Sequence, residues 1–233
     1  MKKLLIIALP IVVLLAAVIT VCVIIFSNSP GYVVSFNTCG GEEIKSQRCE
    51  VLDSAPIPTR RGYDFDGWFF DEALTEKVVF PLELTEDVTL YAAWYKTEYT
   101  EALDAASIKF LSEGSTNKKT YALSVPKEID IAEITRRGYR VQLTVNYEIS
   151  YTRDWVKDFG YLGAPKYDVS ILNSSGVGAN HEELTAPDTA TAAGVSYTFG
   201  TAELAGLTFA VKTQNIQNTV HLRKITVTYK LVR

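Results

Sequence analysis

Residues 59–78 read TRRGYDFDGWFFDEALTEKV, and their opening pentapeptide TRRGY recurs at 135–139. The recurrence poses a choice between two copies of one domain and one local turn used in two settings. In both copies a glycine, Gly62 or Gly138, supplies the left-handed backbone of a tight turn, and a tyrosine then starts a strand. After the first copy, Tyr63, Phe65 and Gly67 alternate with Asp64, Asp66 and Trp68, the period of a strand. After the second comes RVQLTVNYEISY, with no GxxGW-type continuation and no closing LYAAW. The sequence therefore predicts one turn device in two different units.

Outward from the second copy, Val141, Leu143, Val145, Tyr147 and Ile149 alternate with Gln142, Thr144, Asn146, Glu148 and Ser150. One apolar and one polar face predict an antiparallel sheet with one side on a core. Similar runs lie at Ser107–Leu111, Lys119–Val125, Tyr167–Leu172, Val195–Phe199, Leu207–Thr213 and Arg223–Leu231, and Glu128–Ile134 reads as a helical turn. So many strands between polar loops predict a β-sandwich of jelly-roll or Greek-key type over residues 107–233, with 96–106 as a linker. The small, polar segment 173–194 reads as a long mobile loop.

Outward from the first copy, YVVSFNT at 32–38 reads as a strand ended by Gly40-Gly41, and 46–51 as a second extended stretch. Ala55-Pro56-Ile57-Pro58 excludes a central strand and reads as a connection. VTLYAAW at 88–94 closes the unit as another strand. Trp68, Trp94, Tyr63, Phe65, Phe36 and Tyr91 are many large apolar groups for so small a unit, so Trp68 is expected in its core and not as a sugar platform.

The strings FNTCGG, PTRRGYDFDGWFFDEALTEKV and LTEDVTLYAAW resemble the Listeria–Bacteroides repeat, also called the internalin B-repeat. The resemblance covers essentially a whole repeat at 32–95 and departs from the family at Cys39, where Asn is more usual. It implies a small β-grasp-like module of bacterial surface proteins, a spacer or adhesion unit without catalysis, at residues 31–95. The second half is similar, more loosely, to galactose-binding-like and carbohydrate-binding-module sandwiches through its IDIAEI turn, GYRVQLTVNYEISY strand and closing LRKITVTYKLV strand. That similarity implies an architecture and no binding residues.

The first 30 residues belong to neither unit. Lys2 and Lys3 precede 23 residues, Leu4 to Phe26, that carry no charge. Such a run is long enough to cross a bilayer as a helix, where every backbone amide finds its partner inside the segment. Pro30 directly follows Ser27-Asn28-Ser29, and Val21 precedes Cys22, so an uncleaved signal anchor is expected over a cleaved signal or a lipoprotein. The lysines keep the N-terminus in the cytoplasm and place 31–233 outside a single-pass cell-membrane anchor. Beyond Lys2 and Lys3 the chain holds 21 basic and 27 acidic residues, and 31–95 alone holds 12 acidic and 5 basic. A nucleic-acid partner is not expected of such a balance. Cys39 and Cys49 lie ten residues apart and either bridge a hairpin or pack as small apolar residues.

Catalytic chemistry is sparse. HEELT at 181–185 has Thr185 where a zinc-protease helix has its second histidine, no GxSxG elbow occurs, and Gly176-x-Gly178 opens no nucleotide loop. No enzyme, cofactor or metal is expected. The candidate ligand site is RDWVKDFGYLGAPK at 153–166, where Trp155, Phe159 and Tyr161 stand beside Arg153 and Asp158. A flat apolar face with orienting polar groups suits a glycan or surface-protein ligand; the same aromatics would equally cap the open end of a sandwich. The expected function is binding or adhesion at the cell envelope, against a non-binding stalk or a cryptic glycan-active enzyme.

Overall fold

The computed structural model describes residues 31–108, 117–153, 166–213 and 218–233. The expected membrane anchor at 1–30 lies outside the described residues, among which no helix is long and apolar enough to cross a membrane. The chain forms two compact units, Met1–Lys96 and Thr97–Arg233.

The first unit contains β1 (Tyr32–Asn37), β2 (Gln47–Cys49), β3 (Val51–Leu52), β4 (Tyr63–Phe69), β5 (Leu82–Glu83) and β6 (Val88–Lys96). Its main sheet has the order β2-β1-β6-β4, with β1 and β6 parallel and the outer pairs antiparallel; β3 and β5 pair separately. Val34 on β1 and Leu90 on β6 are fully buried at the centre. Strict alternation would put Trp68 on the opposite face of β4 from Phe65. The register jumps instead from Phe65↔Trp94 to Gly67↔Ala93, leaving Asp66 as an extra residue in a bulge with Gly67 at φ +132°. The bulge turns Trp68 to the side of Phe65, their ring centroids 5.4 Å apart, with Phe36 5.1 Å from Trp68 and Trp94 5.7 Å from Phe65. Trp68 is 2% exposed, the core role expected of it.

In the FNTCGG turn, a Cβ on Gly41 would lie 2.4 Å from Trp94 Cζ2, so only glycine lets this turn lie against the ring. Trp94 Nε1 donates to the Thr38 carbonyl at 2.8 Å, closing the same contact from the other side.

The second unit contains β7 (Glu98–Leu103), β8 (Ala106–Ile108), β9 (Asn117–Ala122), α1 (Ile131–Arg136), β10 (Arg140–Arg153), β11 (Lys166–Leu172), β12 (Gly178–Thr185), β13 (Thr191–Phe199), β14 (Thr208–Thr213) and β15 (Asn218–Val232). One sheet has the order β13-β10-β15-β7, with β8 also on β15; the other has β12-β11-β14-β9. All their pairings are antiparallel. The predicted inner residues of β10, from Val141 to Ile149, are buried, as are Val169, Ile171, Phe209 and Val211 of the other sheet. The Tyr147 and Phe209 rings, 5.7 Å apart, join the two sheets in a β-sandwich-like core.

Two segments differ from the sequence reading. The linker expected at 96–106 carries β7 and the start of β8, both paired to β15. EYTEAL hides its strand because, at the sheet edge, none of its residues is buried and no apolar alternation is required. Likewise the loop expected at 173–194 contains β12 and the start of β13. Its GANHEELT strand has no buried residue and is bulged, with Glu183 at φ +55° and its N–H donating to Asp168 at 3.0 Å.

Candidate functional site

Of the residues expected to bind a ligand, Trp155, Asp158, Phe159 and Tyr161 lie outside the described residues, and Arg153 is the last residue of β10. The described residues offer other concavities, and one in the first unit is lined by several aromatic rings.

Trp68 and Phe65 form its floor, both presented by the bulged end of β4. One wall is the extended stretch Ser54, Ala55 and Ile57; the other is Lys77, Val78 and Phe80. Each wall is tied down. Trp68 Nε1 donates to the Pro56 carbonyl at 2.9 Å, holding the first wall on the indole. On the second, Val78 N–H donates to the Trp68 carbonyl at 2.8 Å and Phe70 N–H to the Glu76 carbonyl at 2.9 Å. The turn between them is clasped by Asp71, whose carboxylate accepts from the hydroxyl and N–H of Thr75 and the N–H of Glu76. Those bonds, the Thr75 hydroxyl foremost, hold the Asp71 carboxyl below its ordinary range. Lys77 lies across Gly67 and its ammonium donates to the Asp66 carbonyl at 2.6 Å, closing one end. The cleft measures about 400 Å³.

Another depression, about 390 Å³, lies on the second unit, lined by Asn146, Tyr147, Glu148, Ala192, Ala193 and Lys224. Lys224 Nζ sits 2.7 Å from Glu148 there. Lys224 occupies a bulge, at φ +47°, where the β10–β15 register shifts between Asn146 and Glu148.

The cysteines do not pair. Cys49 lies opposite Tyr32 at the start of β1, and Cys39 lies two residues past its end. At about 3.3 Å per residue the two are on the order of 20 Å apart, whereas bridged Cα atoms stand within about 7 Å. Both thiols are free. The ten-residue spacing left a bridge and simple packing open; the hairpin places one cysteine at its tip and the other at its base, which leaves packing.

HEELT is part of strand β12, so His181 and Glu182 point to opposite faces of a sheet and form no helical metal pair. Among the described residues no cluster of three His, Cys, Asp or Glu side chains could hold a metal. His221 Nδ1 lies 3.0 Å from Ser107 Oγ, and its Nε2 meets the Thr152 hydroxyl, a polar ladder across β8, β15 and β10. Sequence reading missed it because Ser107, Thr152 and His221 come together only by strand pairing.

Burial pushes the phenols of Tyr147, Tyr167 and Tyr229 up; for Tyr147 the neighbouring Tyr167 adds to the rise, and for Tyr229 the hydrogen bond to Glu101, 2.8 Å, does. These are core groups of the sandwich.

Comparison with known proteins agrees with the geometry of the first unit. The two similar curated proteins, both from Evansella cellulosilytica, are named as a candidate membrane protein and a candidate Gly-rich membrane protein. They are 36% identical over 86 residues and 34% identical over 89 residues. These matches take in 35% and 36% of this chain but only 13% and 10% of those proteins. Among solved structures, that of infectious bursal disease virus Gt strain aligns with 79% of this chain and 42% of its own at 10% identity, with a TM-score of 0.28, too low to carry an argument. The family model that matches is the Listeria-Bacteroides repeat domain, over residues 32–93; that stretch of the chain is such a repeat.

Proposed function

We propose that this chain is a single-pass membrane protein of a bacterial cell surface, with residues 31–233 outside, that acts in binding or adhesion at the envelope and catalyses no reaction. The observation that carries the reading is the repeat at 32–93, shared with relatives whose names place them in a membrane. The charge-free run after Lys2 and Lys3 supports the anchor, and the acidic balance of 27 against 23 charges speaks for a partner other than nucleic acid. A glycan is the ligand class suggested by Trp155, Phe159 and Tyr161 with Arg153 and Asp158, and the sandwich-like second unit is a suitable carrier for such a loop.

Protease added to intact cells is expected to remove the ectodomain and leave the anchor in the membrane fraction. Full protection, or a soluble secreted product, would contradict the reading. On a glycan and peptidoglycan array, Trp155→Ala is expected to abolish binding without moving the melting temperature, a loss of about 2 kcal/mol or more of binding energy. A large melting shift with no ligand found would favour the structural stalk.

A further inference from the structure

A sheet edge offers unpaired N–H and C=O groups to any strand that reaches it, and folded chains guard such edges with charge, bulges, brevity or a covering segment. In the first unit β2 is only 3 residues long and carries Arg48, while β4 is covered by the Val78 N–H on the Trp68 carbonyl. In the second unit β7 carries Glu98 and Glu101, and β9 carries Lys118 and Lys119. β12 carries Glu182 and Glu183 beside its bulge. Each of these three edges would set like charges against a copy of itself.

β13 has none of these guards. It ends its sheet, with β10 on one side and no main-chain bond from any described residue on the other. TAAGVSYTF runs 9 residues without a charged side chain or a proline. Its register with β10 holds without a break from Val141↔Phe199 to Ile149↔Thr191, so no bulge twists the edge away. Ala192, Gly194, Ser196 and Thr198 lie opposite the polar face of β10, and all are too small to shield the backbone. The Arg140 guanidinium donates to the Thr198 carbonyl at 3.1 Å, near one end only.

The charge pattern names the occupant. A strand without charge meets no repulsion from its own copy, unlike β7, β9 and β12. Val195 is the midpoint of β13, so an antiparallel copy centred there lines up the whole strand. Ala193 of one copy then faces Tyr197 of the other, Gly194 faces Ser196, and Ala192 faces Thr198. Each rung sets a smaller side chain against a larger one. The same patch serves on both partners, as a two-fold interface requires.

We propose that β13 is a self-association edge, at which two copies of this chain pair antiparallel about Val195 and join their sheets into one. The proposal goes beyond the surface-binding reading: a chain that binds no ligand would pair equally well, and failure to pair would leave that reading untouched.

The test is sedimentation of the full-length chain in detergent micelles, under reducing conditions and over a range of concentrations. A dimer in equilibrium with monomer is expected. Ser196→Lys puts a charge on the β13 edge and should raise the dissociation constant at least ten-fold. Thr100→Lys puts the same charge on the β7 edge and should leave it within two-fold. The two changes are matched, since each removes an exposed hydroxyl paired with a threonine of the neighbouring strand. Both variants should keep the circular dichroism of the parent. Cross-linking reads the register independently. With Cys22, Cys39 and Cys49 replaced by serine, Ala192→Cys chains mixed with Thr198→Cys chains should form a disulfide-linked dimer on oxidation. Opposed residues of an antiparallel pair stand about 4.5–5.5 Å apart, within disulfide reach. Neither chain alone should cross-link. A monomer at every concentration would overturn the proposal. So would a dimer that Ser196→Lys leaves intact, which would assign pairing to another surface, or cross-linking as strong in either chain alone as in the mixture.

Discussion

The pentapeptide TRRGY folds in two different ways, and the difference shows how each unit of the chain is built. In the first unit, Arg60 to Tyr63 form a β-turn closed by the Tyr63 N–H on the Arg60 carbonyl at 3.1 Å, with Gly62 at φ +77°. The Arg60 guanidinium then stacks 4.0 Å over Tyr63 and donates to the Cys39 carbonyl at 3.0 Å, tying the turn to the FNTCGG hairpin. In the second unit, the same residues end helix α1. Tyr139 N–H donates to Ile134 and Gly138 N–H to Thr135, at 2.9 and 3.0 Å, and Gly138 stands at φ +74°. That is a Schellman cap. What the pentapeptide determines is a left-handed glycine before a strand; whether a turn or a helix precedes it is settled by the flanking sequence. Asp130, whose side chain accepts from the Ala132 and Glu133 N–H groups, starts the helix, while Pro56 and Pro58 keep the residues leading into the first copy extended.

The units differ in the same sense in how they are held. The first depends on a few aromatics locked by glycines and indole N–H bonds, the second on two broad faces of alternating apolar residues. The largest expected effects test whether each core belongs to its own unit. Trp68→Ala and Phe209→Ala should each cost about 3–5 kcal/mol, followed by urea denaturation with probes in both units. Trp68→Ala is expected to shift only the transition of 31–96, and Phe209→Ala only that of 97–233. A shift of both transitions by either variant would break the comparison.

Glycine changes should separate close packing from conformation. Gly41→Ala forces a methyl onto Trp94 and should cost about 2–4 kcal/mol, from overpacking and the strained Thr38 bond together. Gly138→Ala meets nothing within 4 Å of its new Cβ, so only the left-handed backbone resists it, about 1–2 kcal/mol. Equal melting shifts would contradict the assignment of Gly41 to a close-contact role.

Alkaline titration should affect the second unit more. Its Tyr147, Tyr167 and Tyr229 phenols are raised in the folded state, so the folded form holds their protons where the unfolded chain, titrating near 10, releases them. Their contribution is complete below about pH 10 and is lost as pH rises beyond it. Unfolding monitored between pH 8 and pH 12 is expected to show the second unit weakening above about pH 10, and less so in Tyr147→Phe. An unchanged slope in that variant would remove Tyr147 from the account. At the small end, Glu148→Gln breaks an exposed ion pair with Lys224 and should change stability by about 0.5 kcal/mol or less.

Much of this was legible in the sequence, for identifiable reasons. β11 falls where its apolar alternation predicted, and Glu128–Ile134 overlaps α1, because burial on one face writes its period into the residues. The repeat was legible through GYDFDGW, but not the bulge inside it: Phe65 and Trp68 are three apart, an odd spacing that brings both to one face only if an extra residue is inserted. LRKI carries the same signal. Leu222 and Ile225 are both buried three residues apart, and the register slips at Lys224 between them. β7 and β12 were illegible because edge strands with exposed faces need no apolar period. The state of the cysteine pair stayed open because spacing along the chain does not say which end of a hairpin each residue occupies. Of the site, the Trp68 cleft was hidden because its walls, Ser54–Ile57 and Lys77–Phe80, meet only through the fold.

Native-state hydrogen exchange on the full chain, read by mass spectrometry across increasing denaturant, tests the two-unit account most directly. Amides of β1, β4 and β6 are expected to merge into one opening free energy and those of β10, β11, β14 and β15 into a separate, larger one, as the greater buried apolar face of the second unit requires. A single opening energy shared by both sets of strands would contradict it.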